Sequence, residues 1–212
     1  MDVTFFLTAL PNLLNALLAV GGLSISLRAF FLYKHLRSPR LFILGLAMGL
    51  VALAAAADLA SAFVTVIAFN TDWFLFLGQA TGFGFIFLSL LNSSERYLRH
   101  LILWQIISAS LILFLLVLAP LLPDFPNLAT RILLSGSRAL GCFLIFGYYA
   151  SAFITRETRF SLFIGTAFLL LSIGYFLILP KYLVAHQEGL DQLGDVIRLA
   201  GLFILMIAYV RG

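Results

Sequence analysis

Charge is what this 212-residue chain has least of: only 10% of its residues are charged, against 63% hydrophobic. An ordinary soluble domain carries about 25% charged residues. A chain this apolar has too little polar surface to cover itself in water, which excludes a soluble globular protein. Cysteine is nearly absent. Cys142 is the only one, so an intrachain disulfide and a cysteine-based metal site are both excluded. It lies inside an apolar run and is expected to be a buried, inert thiol. His35, His100 and His186 fall at the ends of apolar runs or between them, which argues against haem held across a bundle. Also missing are a nucleophile elbow, a phosphate loop and a zinc-protease helix. The last apolar run has no lysine, so the usual Schiff-base site of a retinal protein is lacking. No cofactor is assigned. The N-terminus lacks a basic leader region, and the run after it is read as a retained first span.

What is present is a series of seven apolar runs, at about 5–33, 41–69, 73–92, 101–119, 128–154, 160–180 and 193–210. A span needs ~20 mostly apolar residues. The runs are continuously apolar and do not alternate, so helices rather than barrel strands are expected, since a helix satisfies its own backbone polar groups in lipid. The expected fold is an all-α, seven-transmembrane-helix bundle forming one domain over 1–212. Pro11 is expected to kink or restart the first helix.

The basic residues are few but ordered. Arg37/Arg40, Arg96/Arg99 and Arg156/Arg159 repeat at intervals of 59 and 60 residues, each between two apolar runs. With Lys34 and Arg211 they mark one side, while acidic residues such as Asp72 and Asp124 gather on the other. Lys and Arg favour the cytoplasmic side. The expected topology is therefore N-terminus outside and C-terminus cytoplasmic, in a multi-pass protein of the cell membrane. A formal charge of +4 reflects these clusters and not a nucleic-acid footprint. Tyr33, Tyr97, Trp104 and Tyr209 are expected near the inner boundary, and Trp73 and Tyr182 near the outer one.

The regular spacing raises the question of an internal repeat, including two three-helix halves around a fourth helix. Two spans with their loops occupy about sixty residues in any case, and the side chains match poorly between segments. The spacing is therefore read as topology, not duplication.

The polar groups inside the apolar runs are the candidate site. Asp58 stands among alanines in the second run, expected deep in its helix, where an ionised carboxylate costs at least ~2.5–3.5 kcal/mol. It is either a ligand, ion or proton site or half of a structural ion pair. Arg138 is its expected partner, since both lie 18 residues from a cytoplasmic arginine and so ~27 Å above it. Arg198 is expected to pair with Asp195 on its own helix. Arg28 is expected to reach down to the inner headgroups. Asn12, Asn15 and Gln79 lie at a similar depth, either as lining of an outward-facing polar cavity or as interhelical hydrogen-bonding groups. Gly45/Gly49 and Gly78/Gly82 are small-residue packing motifs.

These features point to a non-enzymatic protein: a sensor-like or accessory subunit that binds a small ligand, lipid or partner within the bundle. Membrane lipids surround it, and a partner protein would dock at the cytoplasmic loops. The alternatives are a small transporter or channel using Asp58, which would need a polar path to the inside, and an intramembrane enzyme, which would need a catalytic cluster.

Overall fold

The structure is a computed structural model that describes residues 3–63, 70–122, 128–182 and 188–211. It is all-helical. The helices are α1 Val3–Leu36, α2 Pro39–Phe63, α3 Asp72–Leu91, α4 Glu95–Leu118, α5 Leu128–Arg156, α6 Arg159–Ile178 and α7 Glu188–Arg211. Short 3-10 turns, Ala119–Leu121 and Leu179–Tyr182, extend α4 and α6. All seven helices are long and apolar enough to cross a membrane.

The helix ends depart from the hydropathy limits for local reasons. α1 runs without interruption through Pro11, so the expected restart does not occur there. α2 is described as far as Phe63, and residues 64–69 of that apolar run lie outside the described residues. α4 begins six residues before its apolar run. Ser94 precedes it with extended backbone, and Glu95 and Arg99 pair on the exposed first turn at 3.1 Å.

Two compact units make up the chain. One contains residues 18–126, the other residues 1–17 with 127–212. In the first unit, small residues set the helix spacing. The Ser26 hydroxyl donates to the Gly45 carbonyl at 2.7 Å, holding α1 to α2. A Cβ added at Gly49 would meet Ser26 Oγ at 3.0 Å, and one added at Gly82 would lie 2.7 Å from Val51 Cγ2 and 3.1 Å from the Ala47 carbonyl oxygen. Both small-residue motifs thus serve packing between neighbouring helices of one chain. α4 joins through Gln105, whose Nε2 donates to the Ile43 carbonyl at 2.9 Å, and through a core of Leu50, Ala54, Phe74 and Ile112.

Helices of the two units share local features at an offset of about 120 residues. α1 and α5 both end in a residue with left-handed backbone, Arg37 (φ 53°) and Glu157 (φ 50°), 120 residues apart. Their N–H groups close the same turn, Arg37 onto the Tyr33 carbonyl at 2.8 Å and Glu157 onto the Phe153 carbonyl at 2.7 Å. At the same offset, α2 buries Ala47, Met48, Val51, Ala52, Ala54 and Ala55 and exposes Leu53 and Ala56, while α6 buries Ala167, Phe168, Leu171, Ser172, Gly174 and Tyr175 and exposes Ile173 and Phe176. Gly82 approaches Ala47 and Val51 on α2. Gly201, 119 residues on, approaches Ala167 and Leu171 on α6, at 3.0 and 3.2 Å for an added Cβ. α1–α2–α3 and α5–α6–α7 thus share part of a burial pattern at this offset. The side chains hide this because any large apolar residue suits an outward position.

Candidate functional site

The polar candidates divide between the two units, and each group is described within its own. In the first unit, the Thr71 hydroxyl donates to Asp58 Oδ1 at 3.1 Å. The Ser61 hydroxyl donates to the Asp58 carbonyl at 2.7 Å and lies 3.2 Å from Thr71 Oγ1. Thr71 is buried and immediately precedes α3. This group ties α2 to the start of α3. Thr71 escaped the sequence reading, although a Thr-Asp pair ahead of an apolar run is an ordinary helix-start signal. Gln79 is buried on α3.

In the second unit, the polar groups converge on one aromatic ring. Tyr175 of α6 is 1% exposed. The Arg138 guanidinium carbon, from α5, lies 4.9 Å from its ring centroid. The Arg198 guanidinium carbon, from α7, lies 5.1 Å from the same centroid. Arg138 Nη2 also donates to Ser135 Oγ at 3.0 Å. Arg198 Nη2 donates to Asp195 Oδ1, as the i,i−3 spacing leads one to expect. A desolvated cation over an aromatic face is worth about 2 kcal/mol, so the ring offsets part of the cost of burying two guanidinium groups.

The helices place these groups by periodicity. Ser135, Arg138 and Cys142 share one buried face of α5, and Asp195 and Arg198 share one of α7. α6 packs against both α5 and α7, so its residue at the common level, Tyr175, touches the arginines of both. Ser172, one turn away, donates to the Ala139 carbonyl at 2.9 Å and fixes α6 on α5. Gly174 clears the way for Arg198: an added Cβ there would run into Arg198 Cγ and lie 2.7 Å from the Gly194 carbonyl oxygen. From helix rise, Arg138 stands ~27 Å from Arg156, Tyr175 ~24 Å from Arg159 and Arg198 ~20 Å from Arg211. All three thus lie well away from the arginine turn between α5 and α6.

No protein-family model, curated protein or solved structure matches this chain. The site is therefore read from its own geometry.

That geometry joins Arg138 to Arg198 through Tyr175, which the sequence reading did not single out. Asn12 and Asn15 belong to the same unit but differ in placement: Asn15 is buried and Asn12 exposed. The cause is helical phase. Leu10, Leu14 and Leu18 form the buried stripe of α1, and Asn12, two residues from either neighbour in that stripe, is ~200° round the helix from it. Asn12 therefore does not turn inward with the others. Arg28 is exposed on α1, and Cys142 is fully buried. Asp124 and His186 lie outside the described residues, as does the side chain of Tyr182.

Proposed function

We propose that this chain is a multi-pass protein of the cell membrane, N-terminus outside and C-terminus cytoplasmic, that binds a ligand in its α5–α7 unit. The role is non-enzymatic: a sensor-like or accessory subunit whose ligand or lipid acts at Arg138, Tyr175 and Arg198. A partner protein at the basic cytoplasmic turns receives the signal. The observation that carries this reading is the meeting of two guanidinium groups on one buried tyrosine ring in a chain that is otherwise 63% hydrophobic. Ionisable groups inside apolar helices are expensive and mark binding or transport sites by default. Native mass spectrometry of gently extracted protein tests it. Wild type should retain a small ligand or lipid that Tyr175→Ala loses, and equal retention by the two would count against the reading.

A second reading, a small transporter or channel using Asp58, draws on the burial pattern shared at a 120-residue offset, as an internal repeat would give. Such repeats are a common plan of secondary transporters. Proteoliposomes loaded with candidate ions or small acids would show Asp58-dependent flux under this reading and none under the first.

A further inference from the structure

The unit of residues 18–126 gathers its charge at one end. The α1–α2 turn carries Lys34, Arg37 and Arg40, and the start of α4 carries Arg96 and Arg99. Packing brings the two groups level. Ile43, one turn past Arg40, shares a buried cluster with Leu98 and Leu101, which flank Arg99. Gln105 Nε2, one turn further along α4, donates to the Ile43 carbonyl at 2.9 Å. From helix rise, Arg40 stands ~4.5 Å from Ile43 along α2, and Arg99 ~3 Å from Leu101 along α4. Five cations thus stand with one carboxylate, Glu95, among the described residues of this end. Glu95 pairs with Arg99 at 3.1 Å, and both side chains are exposed. Asp58 lies ~27 Å along α2 from Arg40 and is tied to Thr71, next to Asp72.

Helix stability does not account for these arginines. Cations stabilise a helix C-terminus and not an N-terminus, which suits Lys34 at the end of α1. Arg40 and Arg96, however, are each the second residue of a helix, and the first turn of α2 holds no acidic residue. Arg37 has left-handed backbone, φ 53°, a conformation that glycine adopts more readily. Arg40 Nε is buried and has no hydrogen-bond partner. In the other unit the residue with this backbone is Glu157, so the α5–α6 turn sets a carboxylate between Arg156 and Arg159. Apolar side chains bracket the cations of the first unit: Phe31 and Leu36 on α1 and Leu103 on α4 are exposed, within about one turn of Lys34, Arg37 and Arg99. An acidic protein segment would need only the charges, whereas a lipid uses both features. Guanidinium groups match phosphate oxygens with two planar donors at once, and basic clusters beside membrane spans attract anionic lipid. We infer that this end of the first unit docks an anionic phospholipid, its phosphate held by Arg37, Arg40 and Arg96 and its acyl chains against the exposed apolar side chains beside them, and that the α5–α6 turn does not. The inference rests on the membrane placement proposed above and is independent of the α5–α7 ligand.

The test offers purified full-length protein in neutral detergent equal amounts of phosphatidylglycerol and phosphatidylcholine with the same acyl chains, and counts retained lipid by native mass spectrometry. Wild type should prefer phosphatidylglycerol roughly tenfold or more. Arg40→Gln with Arg96→Gln should abolish most of that preference. Arg156→Gln with Arg159→Gln removes the same charge from the other unit and should leave the preference intact. Tyr175→Ala, which tests the α5–α7 ligand, should leave it intact too. Arg37→Gly relieves the left-handed backbone, so it should raise the melting temperature while weakening the preference. It covers the case in which the Arg40 and Arg96 double variant does not fold, and a purely structural Arg37 would not separate the two readouts. No preference in wild type, or equal losses in the two double variants, would overturn the inference. A preference lost in Tyr175→Ala but kept without Arg40 and Arg96 would move the lipid to the α5–α7 unit and overturn this inference alone. In a second arm a polyglutamate peptide is titrated against the same proteins. Saturable binding that depends on Arg40 and Arg96, with no phosphatidylglycerol preference, would assign the surface to an acidic protein segment and overturn the lipid.

Discussion

Replacing Gly174 with alanine is the sharpest structural perturbation available. The added Cβ would run into Arg198 Cγ, and it would also sit 2.7 Å from the Gly194 carbonyl oxygen and 3.2 Å from the Arg198 backbone nitrogen. The side chain can swing away, but the two backbone atoms belong to α7, so α6 and α7 must separate. Overpacking of this kind costs about 1–3 kcal/mol. Alanine recovers about 0.5–1 kcal/mol of helix propensity over glycine. The net expectation is a loss of about 1–2 kcal/mol. Gly136 and Gly147 of α5 are the controls, since an added Cβ at either meets nothing within 4 Å. Alanine there should stabilise by about 0.5–1 kcal/mol. Equilibrium unfolding in mixed micelles, followed by helical circular dichroism, reads all three. If Gly174→Ala is as stable as Gly136→Ala, the close α6–α7 crossing is wrong, and with it the placement of Arg198 on the Tyr175 ring.

Further outcomes follow from other contacts. Thr71→Val removes the hydroxyl that donates to Asp58 and should cost about 1.5–3 kcal/mol, as for a hydrogen bond to a charged group; Thr71→Ser should restore most of it in the same unfolding assay. Ser172→Ala loses one interhelical hydrogen bond to α5 and should cost only about 0.6 kcal/mol. Cys142, fully buried, should resist thiol reagents in the folded protein and react on unfolding, as quantified by mass spectrometry. In a cysteine-free background, a cysteine at Asp124 should be labelled by an impermeant reagent in whole cells and one at Ser94 should not; the reverse pattern would invert the proposed topology.

The seven helices were legible in the sequence because a run of ~20 apolar residues has few alternatives. Their ends were less so. Hydropathy does not see that Glu95 and Arg99 can ride the exposed first turn of α4. The burial pattern shared at a 120-residue offset was not legible for a different reason. Ala56 and Phe176 both face outward without resembling each other, and the identities at that offset, such as Ala47 with Ala167 and Ile25 with Ile145, are too scattered to stand out. At the candidate site, Arg138 and Arg198 stood out as charges in apolar runs, and the local Arg198–Asp195 pair followed from spacing. Tyr175 did not stand out, because a tyrosine in a hydrophobic helix is unremarkable until two cations are found over its ring. Burial, and not residue type, was the signal for it.

Arg138, Tyr175 and Arg198 are proposed to bind a ligand and not merely to hold α5, α6 and α7 together. The direct measurement gives these helices the residues found about 120 positions earlier: Arg138→Leu, Gly174→Ala, Tyr175→Ala, Asp195→Phe and Arg198→Gln in one protein. Helix content and melting temperature in detergent are recorded together with the retained ligand. The expected result is a destabilised but folded protein of near wild-type helix content that no longer retains the ligand. A protein that fails to fold would make the cluster structural, and one that folds and still retains the ligand would place the site elsewhere.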